Sequence, residues 1–190
     1  MISFLVNGPL LEPVEVEELR QDLRLDGDDD LLLSSLITSA RILIEANIGV
    51  RMISQSWDIM YDGWPTNGAQ SIKLPYWPIS DITGIYTLGN GRDMVDSNIY
   101  ESELSQRVPQ ILLRSGFSWP VTKRRQLGVL ISVVAGFGNT AADVPEPLKQ
   151  AIRFLATYWY ESRDWQSFGV GKKIPDIVQT LLLPYKKMRI

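Results

Sequence analysis

In the segment DDLLLSSLITSARILIEANIG, Leu33, Ile37, Ala40, Ile44 and Ile48 recur at spacings of four, three, four and four. That period puts all five on one stripe of an α-helix, and Gly49 stands where a helix commonly closes in the left-handed conformation. Directly after it the period changes. From residue 50 to about 140 the chain runs in short stretches rich in Ile, Val, Trp and Tyr: SQSWDIMYDGWP, SIKLPYWPISDITGIYTLG, DSNIYES, QILLRSGFSWP and QLGVLISVVAGFG. These are strand signals, and WPTNG and LGNGRD between them read as turns. Helical period returns in VPEPLKQAIRFLATYWYESRDW and in the short segment that ends at Pro184. The order predicts an α+β protein: a helical core, made of an N-terminal helix hairpin and two C-terminal helices, with a small inserted antiparallel β unit.

The expected boundaries are 1–50 for the helix hairpin, 51–140 for the β-rich insertion, and 141–190 for the C-terminal helices and tail. The first and last of these are expected to pack as one core. The first helix lies in VEVEELRQDLRL, with Val16, Leu19 and Leu23 on one side and its early glutamates at the positive end of the helix dipole. DGDDD breaks it, and Asp28 or Asp30 is placed to cap the second helix. In the third helix Pro147 sits near the first turn, and Leu148, Ile152, Leu155 and Trp159 form the stripe. Ala151, Phe154 and Tyr158 widen that stripe, so the helix is expected to be covered on two sides. The last helix runs from about Pro175 to Leu183, packs through Ile177, Leu181 and Leu182, and stops at Pro184. Trp57, Trp64, Trp77, Trp119 and Trp159 supply bulk for the core of the β unit and the helix after it.

At 190 residues and 45% apolar content the chain needs no disulfide to hold a core, and it has neither cysteine nor histidine. Thiolate and imidazole metal sites, Ser-His-Asp triads and Cys-His pairs are thereby removed. MISFLVNGPLLEP lacks the basic and long apolar regions of a secretory signal. No run approaches the ~20 apolar residues of a membrane span, so the expectation is a soluble protein that stays where it is made, with no membrane partner. A net charge of −3 argues against a DNA-wrapping protein. The charge is unevenly placed. Residues 12–30 hold nine of the 22 acids, whereas the last five residues hold three cations and no acid. That polarity suits identical subunits arranged head to tail, or a solvated face.

Short motifs add little chemistry. Asp26, Asp28 and Asp30 have the first spacings of a calcium loop, but Leu31 replaces its glycine and Ile37 its closing glutamate. Gly169–Lys173 ends like a phosphate loop, yet Gln166 and Lys173 occupy positions that need Gly and Ser or Thr. GNGRDM has Met94 where a dinucleotide fingerprint needs glycine, and GFSWP has Pro120 where a nucleophile elbow needs its second glycine. No local signal selects a pair of carboxylates for glycosidic acid–base work. No catalytic residue, metal site or cofactor is expected. Two features remain. Lys123, Arg124 and Arg125, after Thr122, lie between two strand candidates and read as a hairpin tip, either solvated or in contact with DNA phosphates or an acidic partner. The chain also closes on Pro184, Tyr185, Lys186, Lys187, Met188, Arg189 and Ile190, a greasy and basic ending that either packs on its own domain or is received by something else.

The succession LRLDGDDDLLLSSLITSARILIEANIG, SGFSWP, GVLISVVAGFG, VPEPLKQAIRFLATYWYESRD and IPDIVQTLLLPYKKMR resembles the head-tail connector (adaptor) proteins of long-tailed bacteriophages and related gene-transfer particles. The likeness covers nearly the whole chain, although the β insertion is longer than in the smallest family members. It implies a structural, non-enzymatic protein of the virion neck, present in the host cytoplasm during assembly. Such proteins form a ring, usually dodecameric, on the portal protein; they extend the DNA channel and receive the next neck (stopper) protein or the tail. Double-stranded DNA passes without specific binding. The resemblance further implies that Pro184–Ile190 bind the portal. The alternatives are a tail-completion protein or other phage interaction module, a weak nucleic-acid-binding protein working through Lys123–Arg125, and a phage hydrolase, for which no site is visible.

Overall fold

A computed structural model describes residues 1–27, 29–65, 71–162 and 174–186. The protein is mixed α+β and divides into two units, Met1–Leu10 with Arg51–Asn139, and Leu11–Val50 with Thr140–Ile190. The first ten residues therefore belong to the β unit, where the sequence placed them with the helices. They form a strand, and its partner lies some fifty residues downstream, a pairing that no local pattern announces.

The helical unit contains α1 (Val16–Leu23), α2 (Asp30–Ile48), α3 (Glu146–Ser162) and α4 (Asp176–Leu182). Helix α2 packs on α1 and α3, and α4 on α3. The α2 stripe is buried as its period requires, from Leu33 through Ile37, Ala40 and Ile44 to Ile48, and Gly49 closes the helix at φ 71°. By length and composition α2 is apolar enough to cross a membrane, contrary to the sequence expectation. Its buried stripe and its buried Arg41 and Glu45 are those of a helix packed within a protein core. The N-cap is Asp29, without a side-chain bond, rather than Asp30; Asp28 lies outside the described residues. In α1 only Leu19 is buried, and Arg24 ends the helix in the left-handed region at φ 52°. Helix α3 buries Leu148, Ala151, Ile152, Leu155 and Ala156. Of the expected second flank, Ala151 is buried, whereas Phe154 and Tyr158 are exposed.

Carboxylates of the acidic run stitch this unit together. Arg41 Nε donates to Glu12 at 2.7 Å and its terminal nitrogens reach Glu12 at 3.2 Å and Glu45 at 3.3 Å; the Thr38 hydroxyl donates to Glu12 at 2.9 Å. Burial works against the Arg41 charge, but the bond from Glu12 and the field of Glu45 outweigh it and raise the guanidinium pKa. Arg153 on α3 donates to Asp22 at 2.6 Å and approaches Glu18 at 3.9 Å. Arg20 pairs with Glu17 and Asp30, and the Tyr160 hydroxyl donates to Asp29 at 3.0 Å. Most of these acids remain exposed, so the run is a solvated face whose carboxylates also brace the unit.

The β unit holds two antiparallel sheets. One has the order β1 (Ile2–Asn7), β2 (Gln55–Tyr61), β8 (Val129–Ala135), β4 (Ile79–Leu88), β5 (Arg92–Met94). The other has the order β3 (Ser71–Lys73), β7 (Gln110–Leu113), β6 (Tyr100–Glu103). Strand β8 is central and apolar on both faces, as the run VLISVVA requires. One core cluster draws Ile59, Ile85, Ile131 and Val133 from the larger sheet and Ile72 and Ile111 from the smaller. Arg51 is buried with its guanidinium 4.1 Å from the ring centre of Tyr76 and 4.7 Å from that of Trp57, a cation enclosed by π faces. At the end of β8, Gly136 takes φ 148°, and an added Cβ would stand 2.5 Å from the Ser54 nitrogen. Only glycine fits that approach.

Candidate docking surfaces

The C-terminal segment is partly ordered by its own backbone. Past α4 the chain continues in a 3-10 turn, Leu183–Tyr185, with Pro184 inside it, and the Lys186 N–H donates to the carbonyls of Leu182 and Leu183 at 3.1 and 3.3 Å. Helix α4 buries Val178 and Leu182; Ile177, expected in the packed stripe, is exposed, and Leu181 is half-buried. With only seven residues in the helix, two buried positions one turn apart define its inner face. Tyr185 and Lys186 are half-buried, and Leu183 is exposed. Lys187, Met188, Arg189 and Ile190 lie outside the described residues.

The cationic cluster does not occupy a hairpin tip. Strand β7, before it, pairs with β3 and β6, while β8, after it, pairs with β2 and β4, so residues 114–128 cross from one sheet to the other. Trp119 stacks on Trp64 with ring centres 4.4 Å apart and planes within 5°, and the Trp64 indole donates to the Pro120 carbonyl at 2.6 Å. That contact accounts for SGFSWP structurally. Further on, the Leu127 N–H donates to the Asp62 carboxylate at 3.1 Å, the Gly128 N–H donates to the Asp62 carbonyl at 3.3 Å, and the Gly128 carbonyl accepts from Leu88 at 2.8 Å. The loop is pinned at both ends. Lys123 lies along the turn of GNGRD, where a Cβ on Gly89 would meet its side chain at 2.8 Å, and its ammonium is 3.2 Å from Asp93. Arg124 and Arg125 are exposed and have no ion-pair partner among the described residues.

Other surfaces carried no sequence signal. Strand β1 is an outer strand of its sheet, and Ile2, Phe4, Leu5 and Val6 on it are each about half exposed. It has neither the lysine nor the proline that usually guards such an edge. Within the helical unit a cleft of about 560 Å³ is lined by Leu11, Val14, Val16, Ile37 and Ala141, with Glu12 and Glu15 among its polar groups. Asp30 is engaged by Arg20, no group of three or more His, Cys, Asp or Glu side chains is placed to hold a metal among the described residues, and Gly169–Lys173 lie outside them.

No family model matches the chain, and no curated protein matches it. Solved structures do. A chain in the neck of an empty GTA particle, computed with C6 symmetry, superposes with a TM-score of 0.84 at 23% identity, covering 100% of this chain and 97% of its own length. Chains in the virion of a native gene transfer agent (GTA) particle and in the neck of a native GTA particle computed with C12 symmetry give TM-scores of 0.83 and 0.81, at the same identity and coverage. The protein has the fold of these chains from end to end.

Proposed function

We propose that this protein is a structural subunit of a virion neck: a head-tail connector that joins copies of itself in a ring on the portal, extends the DNA channel, and receives the next neck or tail protein. The observation that carries this reading is the likeness, over the whole chain, to chains of particle necks computed with sixfold and twelvefold symmetry. A cyclic ring requires two different, complementary faces on each subunit, and a channel wall of net charge −3 does not grip the polyanion that slides past it. The lack of histidine and cysteine, and of any assembled nucleophile and base in the surfaces described, supports a structural rather than catalytic role. Assembly would take place in the host cytoplasm, and twelve copies are the number the resemblance favours.

In this reading Pro184–Ile190 form the portal-binding segment. Pro184 and Tyr185 set its direction through the 3-10 turn, and Lys186–Ile190 supply cations and apolar side chains. Native mass spectrometry of the protein with and without its cognate portal tests the ring. We expect a closed oligomer whose copy number matches a cyclic symmetry, formed on the portal. A chain that stays monomeric in both conditions removes the reading.

A further inference from the structure

We propose that loop Val121–Arg125 is a subunit contact that receives Asp26, Asp29, Leu31 and Leu32, from the end of α1 and the start of α2, of a second copy of this chain. The inference rests on the ring reading and names the surfaces that close the ring. On the loop, Lys123 is paired with Asp93, Arg124 and Arg125 are exposed, and Val121 is 87% exposed. A pinned backbone that presents two exposed guanidinium groups and a bare valine matches a protein surface, because arginine beside exposed apolar area is the composition of an interface. A phosphate backbone has nothing to offer Val121.

These four residues are the chemical complement. Asp26 is exposed and has no ion-pair partner among the described residues, and Asp29 is bonded to the neutral phenol of Tyr160. Leu31 beside them is 91% exposed and Leu32 partly exposed. Arg24 is the exposed cation next to them. Each surface thus pairs unneutralised charge of one sign with a large apolar side chain left in water, and the signs are opposite. Because the loop and these residues are different patches, the contact is heterologous, the type that generates a ring.

The full-length chain, alone and with its portal, allows the test. Arg124→Glu with Arg125→Glu, or Asp26→Arg with Asp29→Arg, should each weaken assembly by about tenfold or more, and the combination of both pairs should restore it. Because the chain has no cysteine, Asp26→Cys mixed with Arg125→Cys gives an unambiguous cross-link, expected as a dimer band from the mixture and from neither variant alone. Intact assembly of both charge-reversed variants overturns this contact and leaves the ring reading standing. Loss of duplex DNA binding or of portal binding, with self-association unchanged, reassigns the loop and also overturns it. Failure of the wild-type chain to assemble under either condition overturns the contact and the ring together.

Discussion

Arg41 shows how single residues hold the helical unit. Its side chain is 7% exposed and bonds to Glu12 and Glu45, so its removal takes a counter-charge away from two carboxylates, of which Glu45 is buried. Arg41→Ala should cost about 3–5 kcal/mol in urea unfolding. Arg41→Lys should recover only part of that, because one ammonium does not reproduce a guanidinium fork. Tyr61 gives the β unit a signature at high pH. Burial, with a smaller contribution from Tyr76, pushes its phenol up to about 12, while its hydroxyl donates to the Lys73 carbonyl at 2.8 Å. An unfolded tyrosine ionises near ~10, so Tyr61 contributes stability that is fully present below that pH and is lost as pH rises through about 12. Burial also raises the Tyr100 phenol, so in a tyrosinate absorbance titration late ionisation should include Tyr61, and Tyr61→Phe should remove one late step and flatten the fall in stability between these pH values. An unchanged titration curve would show that the phenol is not held neutral by its surroundings.

At the scale of elements, Gly136 is the position least open to substitution. A methyl group there meets the backbone of Ile53 and Ser54, so Gly136→Ala should destabilise the β unit by on the order of 3 kcal/mol, measured by thermal melting. The tail behaves differently. Deleting residues 187–190 spares the turn that holds Tyr185 and Lys186, and we expect a cooperatively melting protein that no longer joins the portal. A truncation that fails to fold would make those residues core, and one that docks normally would move portal binding elsewhere. What was legible in the sequence divides along the same lines. The α2 stripe, its Gly49 cap and the strand run VLISVVA were readable because their signals are local and periodic. Strand β1 was not, since ISFLVN becomes a strand only by pairing with β2. Strand β5 is three residues, Arg-Asp-Met, and carries no apolar pattern. The loop at Lys123–Arg125 is not legible from sequence, because strands adjacent in sequence need not be adjacent in a sheet; β7 and β8 belong to different sheets. The acidic run is an exposed face, as its composition suggests, but composition does not show which arginines meet it.

For the whole molecule, weak contacts repeated around a ring reinforce one another, since each engaged subunit raises the effective concentration of the next site. A single tail or loop therefore need not bind tightly for the assembly to be stable. The same reasoning limits DNA binding. Two exposed arginines and a paired lysine neutralise few phosphates, so free duplex should bind weakly and without sequence preference, with a shallow salt dependence of roughly 0.9 per phosphate contact. Tight, sequence-specific binding in a salt-series fluorescence titration would favour a nucleic-acid-binding protein instead. The central claim is that this chain is a neck subunit seated on a portal. Cryo-electron microscopy of the purified protein mixed with its cognate portal tests it most directly. We expect portal particles bearing an added ring into which this fold fits, copy for copy around the axis. Portal particles with no added density at saturating protein would contradict the account.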